Sequence, residues 1–227
     1  MPEASLTMQL RCVLFDHDDT LLPTFDLRAR VLREAALEVL GKELDAVAFL
    51  TASHGRNLEQ MSGDLTDGDD ALAARVVTAY RARYYAANRH GLMPYPGIRA
   101  LLGALRVAGI RVGVVTSKLG SGAREELANT DLARHIEHLT GSEDVRAHKP
   151  APEPLRRAMT ALGVSPGETL MVGDTAADIL GARAAGTASA AALWGARDRE
   201  GLLALAPDHA LEQPQGVLAL IGNAASC

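Results

Sequence analysis

Four short apolar runs, "CVLF" (12–15), "RVGVV" (111–115), "TLMVG" (169–173) and "ASAAAL" (188–193), constrain the fold more than any other feature of this chain. Each has the length of a strand and none alternates with polar residues, so each must be covered on both faces. Helical patterns alternate with the last three. "GIRALLGALRVAG" brings Ile98, Leu101, Leu102 and Leu105 to one face and stops at Gly109. "PEPLRRAMTALG" does the same with Leu155, Met159 and Leu162 ahead of Gly163. Glycine after the last apolar position is the expected helix stop. Strand, helix and strand in alternation imply an α/β protein with a parallel sheet flanked by helices.

Residues 24 to 92 break that rhythm. "DLRARVLREAALEVLGK" has helical spacing, with Leu27, Val31, Ala35 and Val39 near one face. "DDALAARVVTAYRARYYAANRH" predicts a longer helix with Leu72, Val76, Val77, Tyr80 and Tyr84 as its stripe. Its arginines at 75, 81, 83 and 89 are expected on the solvated face. No strand is predicted between the two helices, and "MPYPG" (93–97) is a turn-rich return to the sheet. The expected organisation is a discontinuous core, 1–21 and 94–227, with an inserted helical domain over 22–93. The acidic "DLTDGDD" (64–70) lacks the alternating oxygen ligands and closing Glu of a calcium loop, and is expected to cap the helix that follows.

Composition removes several classes of function. The net charge of −5 argues against nucleic-acid binding by bulk electrostatics. No apolar stretch approaches a membrane span, and the first nine residues lack the pattern of a secretion signal. The two cysteines, Cys12 and Cys227, lie at opposite ends and suggest no disulfide framework. A cytoplasmic protein with no membrane partner is expected, either monomer or homodimer.

Polar residues gather where the strands end, which is where open α/β sheets bind ligands. "DHDDT" follows the first run, with Asp16, Asp18 and Asp19 crowded into four positions. Their mutual repulsion beside a core strand needs compensation, and a divalent cation is the simplest source. "TSK" (116–118) follows the second run, Lys149 precedes a helix in "AHKPAPEPL", and "GDTAAD" (173–178) follows the third. Taken singly, these are a loop acid pair, a helix cap, a surface lysine and a helix start. In this order, all at strand ends, they form a constellation.

"FDHDDTLL", "VVTSK", "HKPAPEPL" and "VGDTAADI" resemble the four motifs of the haloacid dehalogenase superfamily, and most closely its phosphoglycolate phosphatase-like branch with a helical cap after the first motif. The tail "WGARDREGLLALAPDHALEQPQGVLAL" also resembles that branch. The resemblance implies a Rossmann-like core and a Mg²⁺-dependent phosphatase. It makes Asp16 the nucleophile that forms an aspartyl-phosphate, and Asp18 the acid and then base. Asp16, the Asp18 carbonyl and Asp174 would hold the metal, with Asp178 as ligand or brace. Thr116 and Lys149 would hold the phosphoryl oxygens. Thr20, Ser117 and Lys118 fall within the motifs and are assigned to substrate binding.

Two positions depart from the pattern: Asp19 stands where Gly is usual, and Pro23-Thr24 replaces an Asp-Ser or Asp-Thr pair. For Asp19 a loop role, bonding nearby backbone, is expected. In "TASHGRN" (51–57), His54 and Arg56 could meet an anionic leaving group across a turn permitted by Gly55. His135 and His138 have helical spacing but no third ligand, so zinc is not expected. The expected substrate is a small phosphorylated metabolite, with 2-phosphoglycolate first. The alternatives are a pyrophosphatase, a sugar-phosphate mutase on the same core, or a non-enzymatic phosphoacceptor.

Overall fold

The computed structural model describes residues 10–53, 56–88 and 91–222. Its centre is a six-stranded, all-parallel sheet in the order β3-β2-β1-β4-β5-β6. The strands are β1 (Cys12–Phe15), β2 (Arg111–Val115), β3 (His138–Thr140), β4 (Thr169–Gly173), β5 (Ala188–Ala192) and β6 (His209–Leu211). The four expected strands are present. The edge strands β3 and β6, three residues each, were not expected from the sequence.

Alternate residues of each strand serve opposite faces. Val13 and Phe15 of β1, with Val112, Val114, Leu170 and Val172, pack under α5 (Ile98–Val107), α6 (Gly120–Asn129) and α10 (Gly216–Gly222). Cys12 and Leu14, with Val115 and Met171, pack under α7 (Glu153–Leu162) and α8 (Ala176–Ala185). Both faces are therefore dry, which explains why the strand sequences are uninterrupted apolar runs. The short α9 (Arg199–Ala204) closes a third cluster through Leu202, against Ile179, Ala191 and Leu193.

Among the described residues, four helices lie between β1 and α5: α1 (Phe25–Leu40), α2 (Ala46–Ala52), α3 (Leu58–Leu65) and α4 (Asp70–Asn88). They share their own apolar cluster, centred on Phe25, Ala29, Leu32, Leu50 and Met61. The buried stripe of α1 is Ala29, Val31, Leu32, Ala35 and Ala36, so the expected face is rotated, leaving Leu27 and Val39 only half-buried. Asp69 accepts from the Leu72 backbone N–H at 3.0 Å, the capping expected of the acidic loop. The chain leaves and rejoins the sheet at adjacent points, where the Tyr95 N–H donates to Leu21 O at 3.1 Å. Among the described residues, no helix is long and apolar enough to cross a membrane.

Candidate active site

The strand order places β1 and β4 side by side at the centre, where the connections diverge to opposite sides. A crevice opens beyond their carboxyl ends. Phe15 pairs with Val172 on one side and Val114 on the other. That register sets Asp16 beside Val115 and Gly173, with Thr116 and Asp174 one residue further along, although 158 positions separate Asp16 from Asp174 in sequence.

Lys149 ties the floor together. Its Nζ donates to Asp16 Oδ1 at 2.7 Å, Asp178 Oδ1 at 2.6 Å and Val115 O at 2.9 Å, using all three protons. Burial works to lower its pKa, but Asp16 and Asp178 outweigh that and hold the ammonium above its ordinary range. Asp178 also caps α8, its Oδ2 accepting from Thr175 Oγ1 at 2.7 Å and Thr175 N at 3.1 Å. Both its oxygens thus have protein donors. Gly173 is required for this approach, since a Cβ there would lie 2.2 Å from Asp178 Cγ.

Asp16, Asp174 and Asp178 each present an oxygen within 4.8 Å of the others. Burial pushes Asp16 up to about 6 against the pull of Lys149. Asp174 rises well above the carboxylate range, through burial first and then through Asp16 and Asp178. Its hydrogen-bond donor is the neutral hydroxyl of Thr20, at 2.7 Å. Lys149 therefore compensates Asp16 and Asp178 but leaves Asp174 with a negative charge unmatched. Hard oxygen donors with a deficit of positive charge fit a divalent cation such as Mg²⁺.

Asp18 sits in a second network. Its Oδ1 accepts from Thr24 Oγ1 at 2.6 Å and from Lys118 Nζ at 2.9 Å. Burial alone would raise its pKa; Lys118, then Arg28 and His17, reverse this and hold it well below the usual range. Lys118 in turn donates to both oxygens of Glu126 at 2.9 Å, and lies 2.9 Å from the Tyr84 hydroxyl. His17 Nε2 approaches Glu126 Oε2 at 2.6 Å, with both side chains buried. His17, Asp18 and Glu126 also cluster closely enough for a metal, but the Lys118 ammonium already occupies that role.

Asp19 has the expected loop role. Its Oδ1 accepts from the Thr24 and Phe25 N–H groups at 3.1 and 3.0 Å, starting α1, while Arg28 holds Oδ2 at 2.5 Å. Its φ of 58° is left-handed, a region Gly enters freely and Asp tolerates.

A cavity of about 310 Å³ lies between this floor and helices α1 to α4. Asp16, Asp18, Thr116, Ser117, Lys118, Lys149 and Asp174 all line it. Thr116 Oγ1 accepts from the Lys118 N–H at 3.2 Å, and the buried Ser117 Oγ has no partner. Four expectations need amendment. Thr20 does not line the cavity: it is fully buried beneath Asp174. Lys118 is engaged by carboxylates rather than standing free for phosphate. Arg56 reaches the cavity but is paired with Asp64, and His54 and Gly55 lie outside the described residues. Arg81, expected on the solvated face, also lines the cavity.

Glu126, His17, Thr24 and Arg28 had no assigned part in the sequence reading. Glu126 carried a signal: with Ala123 and Leu127 it falls on the inward stripe of α6, where a carboxylate needs a partner.

The haloacid dehalogenase-like hydrolase family model matches residues 13–192, from β1 through β5. The chain belongs to that family. A pyrophosphatase PpaX of Bacillus pumilus is 31% identical, over 94% of this chain and 97% of its own. One from Oceanobacillus iheyensis is 29% identical over 95% and 99%. The structure of a "predicted phosphoglycolate phosphatase" from Haemophilus somnus superposes with a TM-score of 0.85 at 20% identity, covering 93% and 98% of the two chains. That likeness speaks for the fold, and the hydrolase core expected from the four motifs is the one present.

Proposed function

We propose that this hydrolase is a Mg²⁺-dependent phosphatase of small phosphomonoesters, working through an aspartyl-phosphate on Asp16. One observation carries the reading. Asp16, Lys149 and Asp174 arrive from three distant segments at one cavity, with the Asp16 carboxylate held 2.7 Å from an ammonium. Asp16 Oδ attacks phosphorus while Lys149, Thr116 and the Ser117 hydroxyl stabilise the phosphoryl oxygens. Asp18 gives a proton to the departing alkoxide, then takes one from the water that opens the acyl-phosphate. Here Asp18 is ionised and tied to Lys118 and Thr24, which is its proton-accepting form; giving a proton requires loosening those contacts.

Asp16, the Asp18 carbonyl and Asp174 would hold the metal, with Asp178 bracing Lys149. A bound divalent ion supplies positive charge for the phosphoryl oxygens. Residues 22–93 serve as a cap over a core of 1–21 and 94–227, a division supported by their separate apolar cluster. We also infer a cytoplasmic setting, in keeping with the free, buried thiol of Cys12.

The curated relatives support a second reading, since those cited are named pyrophosphatases. Phosphate release from 2-phosphoglycolate, other phosphomonoesters and pyrophosphate, with Mg²⁺ and then with chelator, tests both. Release abolished by chelator is expected, together with a phosphoryl adduct on Asp16 trapped by acid quench. Metal-independent release without an adduct would refute the mechanism.

A further inference from the structure

We infer that the leaving group is an uncharged alcohol bearing a flat, largely apolar ring, and not a second anion. This rests on Asp16 being the phosphoryl acceptor and concerns what lies on the far side of the scissile bond.

Six described cations line the cavity: Arg28, Arg56, Arg81, Lys118, Lys149 and Arg197. Each already faces a carboxylate. Arg28 holds Asp19, Arg56 holds Asp64, Arg81 holds Glu59, and Arg197 lies 3.2 Å from Asp26. Lys118 and Lys149 are bound by the four acids already described. At the floor one phosphoryl group can be served by a metal and by Lys149, because Asp16 gives up its carboxylate charge to the phosphorus it attacks and releases that ammonium proton. A second anion, whether the carboxylate of 2-phosphoglycolate or the other half of pyrophosphate, would enter a partly open cavity whose described cations already face carboxylates, and would have to displace one of them. Such displacement is costly.

The upper wall is apolar and aromatic instead. Phe25, Leu58, Met61, Tyr80, Tyr84 and Tyr85 line it. Tyr80 and Tyr84 stack at 5.6 Å with planes 10° apart, and Tyr85 meets Tyr84 edge-on. Aromatics are only 4% of the sequence, yet four of them converge here, which makes the wall a local feature rather than a habit of the core. Tyr80 and Tyr85 are half-buried, so their rings are partly open to a guest. A flat, largely apolar ring would fit this wall, and the cavity volume is at the small end of ligand pockets.

The test compares benzyl phosphate, 2-phosphoglycolate and pyrophosphate under saturating Mg²⁺. Benzyl phosphate is an ester of an ordinary alcohol, so the comparison is not set by an activated leaving group. Its kcat/KM should exceed both anions by roughly tenfold or more, expressed mainly in KM. Tyr80→Ala should collapse that preference and Tyr80→Phe should retain it. Glu59→Gln, which removes a carboxylate from the cavity wall and frees Arg81, should raise kcat/KM for 2-phosphoglycolate several-fold. Hydrolysis that favours 2-phosphoglycolate or pyrophosphate would overturn this inference while leaving the phosphatase reading intact. No hydrolysis of any of the three, nor of a wider phosphomonoester panel, would overturn the reading beneath it.

Discussion

Lys118 Nζ lies 2.9 Å from Asp18 Oδ1, bridging the proposed acid/base to the buried carboxylate of Glu126. The pair fixes which protonation state Asp18 holds in this arrangement. Burial favours the neutral acid, but Lys118 and then Arg28 favour the anion strongly enough to win. Lys118→Met should therefore let the Asp18 pKa climb. The base form would then be lost at higher pH on acidification, and the acid limb of the kcat profile should move upward. At neutral pH a loss of about 10–100-fold is expected. An unchanged acid limb would detach Asp18 from this control.

Asp16→Asn should abolish turnover, by about 10³-fold or more, because an amide cannot accept phosphorus. The fold should persist, since Lys149 keeps Asp178 and the Val115 carbonyl as acceptors. Circular dichroism and the melting temperature check the fold; steady-state phosphate release checks the chemistry. Turnover near wild type would remove Asp16 from the nucleophile position.

How much of this was legible in the sequence follows from how local each signal is. β1, β2, β4 and β5 announce themselves because burial on both faces demands continuous apolar runs. β3 and β6 escape because "HLT" and "HAL" are too short for any period, and only edge pairing makes them strands. α3 did carry a mark, since Asn57 and Gln60 form a reciprocal capping box. At the site, Asp16, Asp18, Lys149 and Asp174 were legible as motif positions. The partners that set their charge were not: Glu126 meets His17 across 109 positions, and Thr20 turns beneath Asp174 across 154. No spacing rule encodes contacts of that range.

Asp174 should be a net cost to the metal-free protein. Its folded pKa lies above the unfolded carboxyl value of about 4, so the native state holds the proton longer than the unfolded state. That contribution lowers stability as pH rises from about 4 towards neutrality. Asp174→Asn keeps an acceptor for the Thr20 hydroxyl but removes the charge. In chelator it should melt higher than wild type by roughly 2–4 °C per kcal/mol relieved, with the margin widening as pH rises. Mg²⁺ should raise the wild-type melting temperature and leave the variant unmoved. For wild type, Mg²⁺ affinity should strengthen as pH rises through about 6, where Asp16 gives up its proton. Calorimetry in buffers of differing ionisation enthalpy would count the protons released; a pH-independent affinity would argue against these ligands.

Glu126 offers the sharpest stability test, because it is a buried carboxylate joined to His17 and Lys118. Removing it leaves His17 without its partner and Lys118 with Asp18 as its one remaining carboxylate among the described residues, so Glu126→Ala should cost about 3–5 kcal/mol. Glu126→Gln keeps the shape and an acceptor, and should cost less. The pairing predicts more than a loss. His17 has a second buried nitrogen, Nδ1, with no partner, so the imidazole is itself imperfectly satisfied. Replacing both residues, His17→Leu with Glu126→Leu, exchanges two polar groups for apolar surface in a closed space. The double variant should recover most of the stability lost in Glu126→Leu alone, a coupling readable by chemical denaturation of wild type, the two single Leu variants and the double. Its activity should remain impaired, because Lys118 would then have only Asp18 as a carboxylate partner and would bind it more tightly, holding the acid in its ionised form. Additive destabilisation in the double variant would show that the two side chains do not act on each other, and the network account of Asp18 would fail with it.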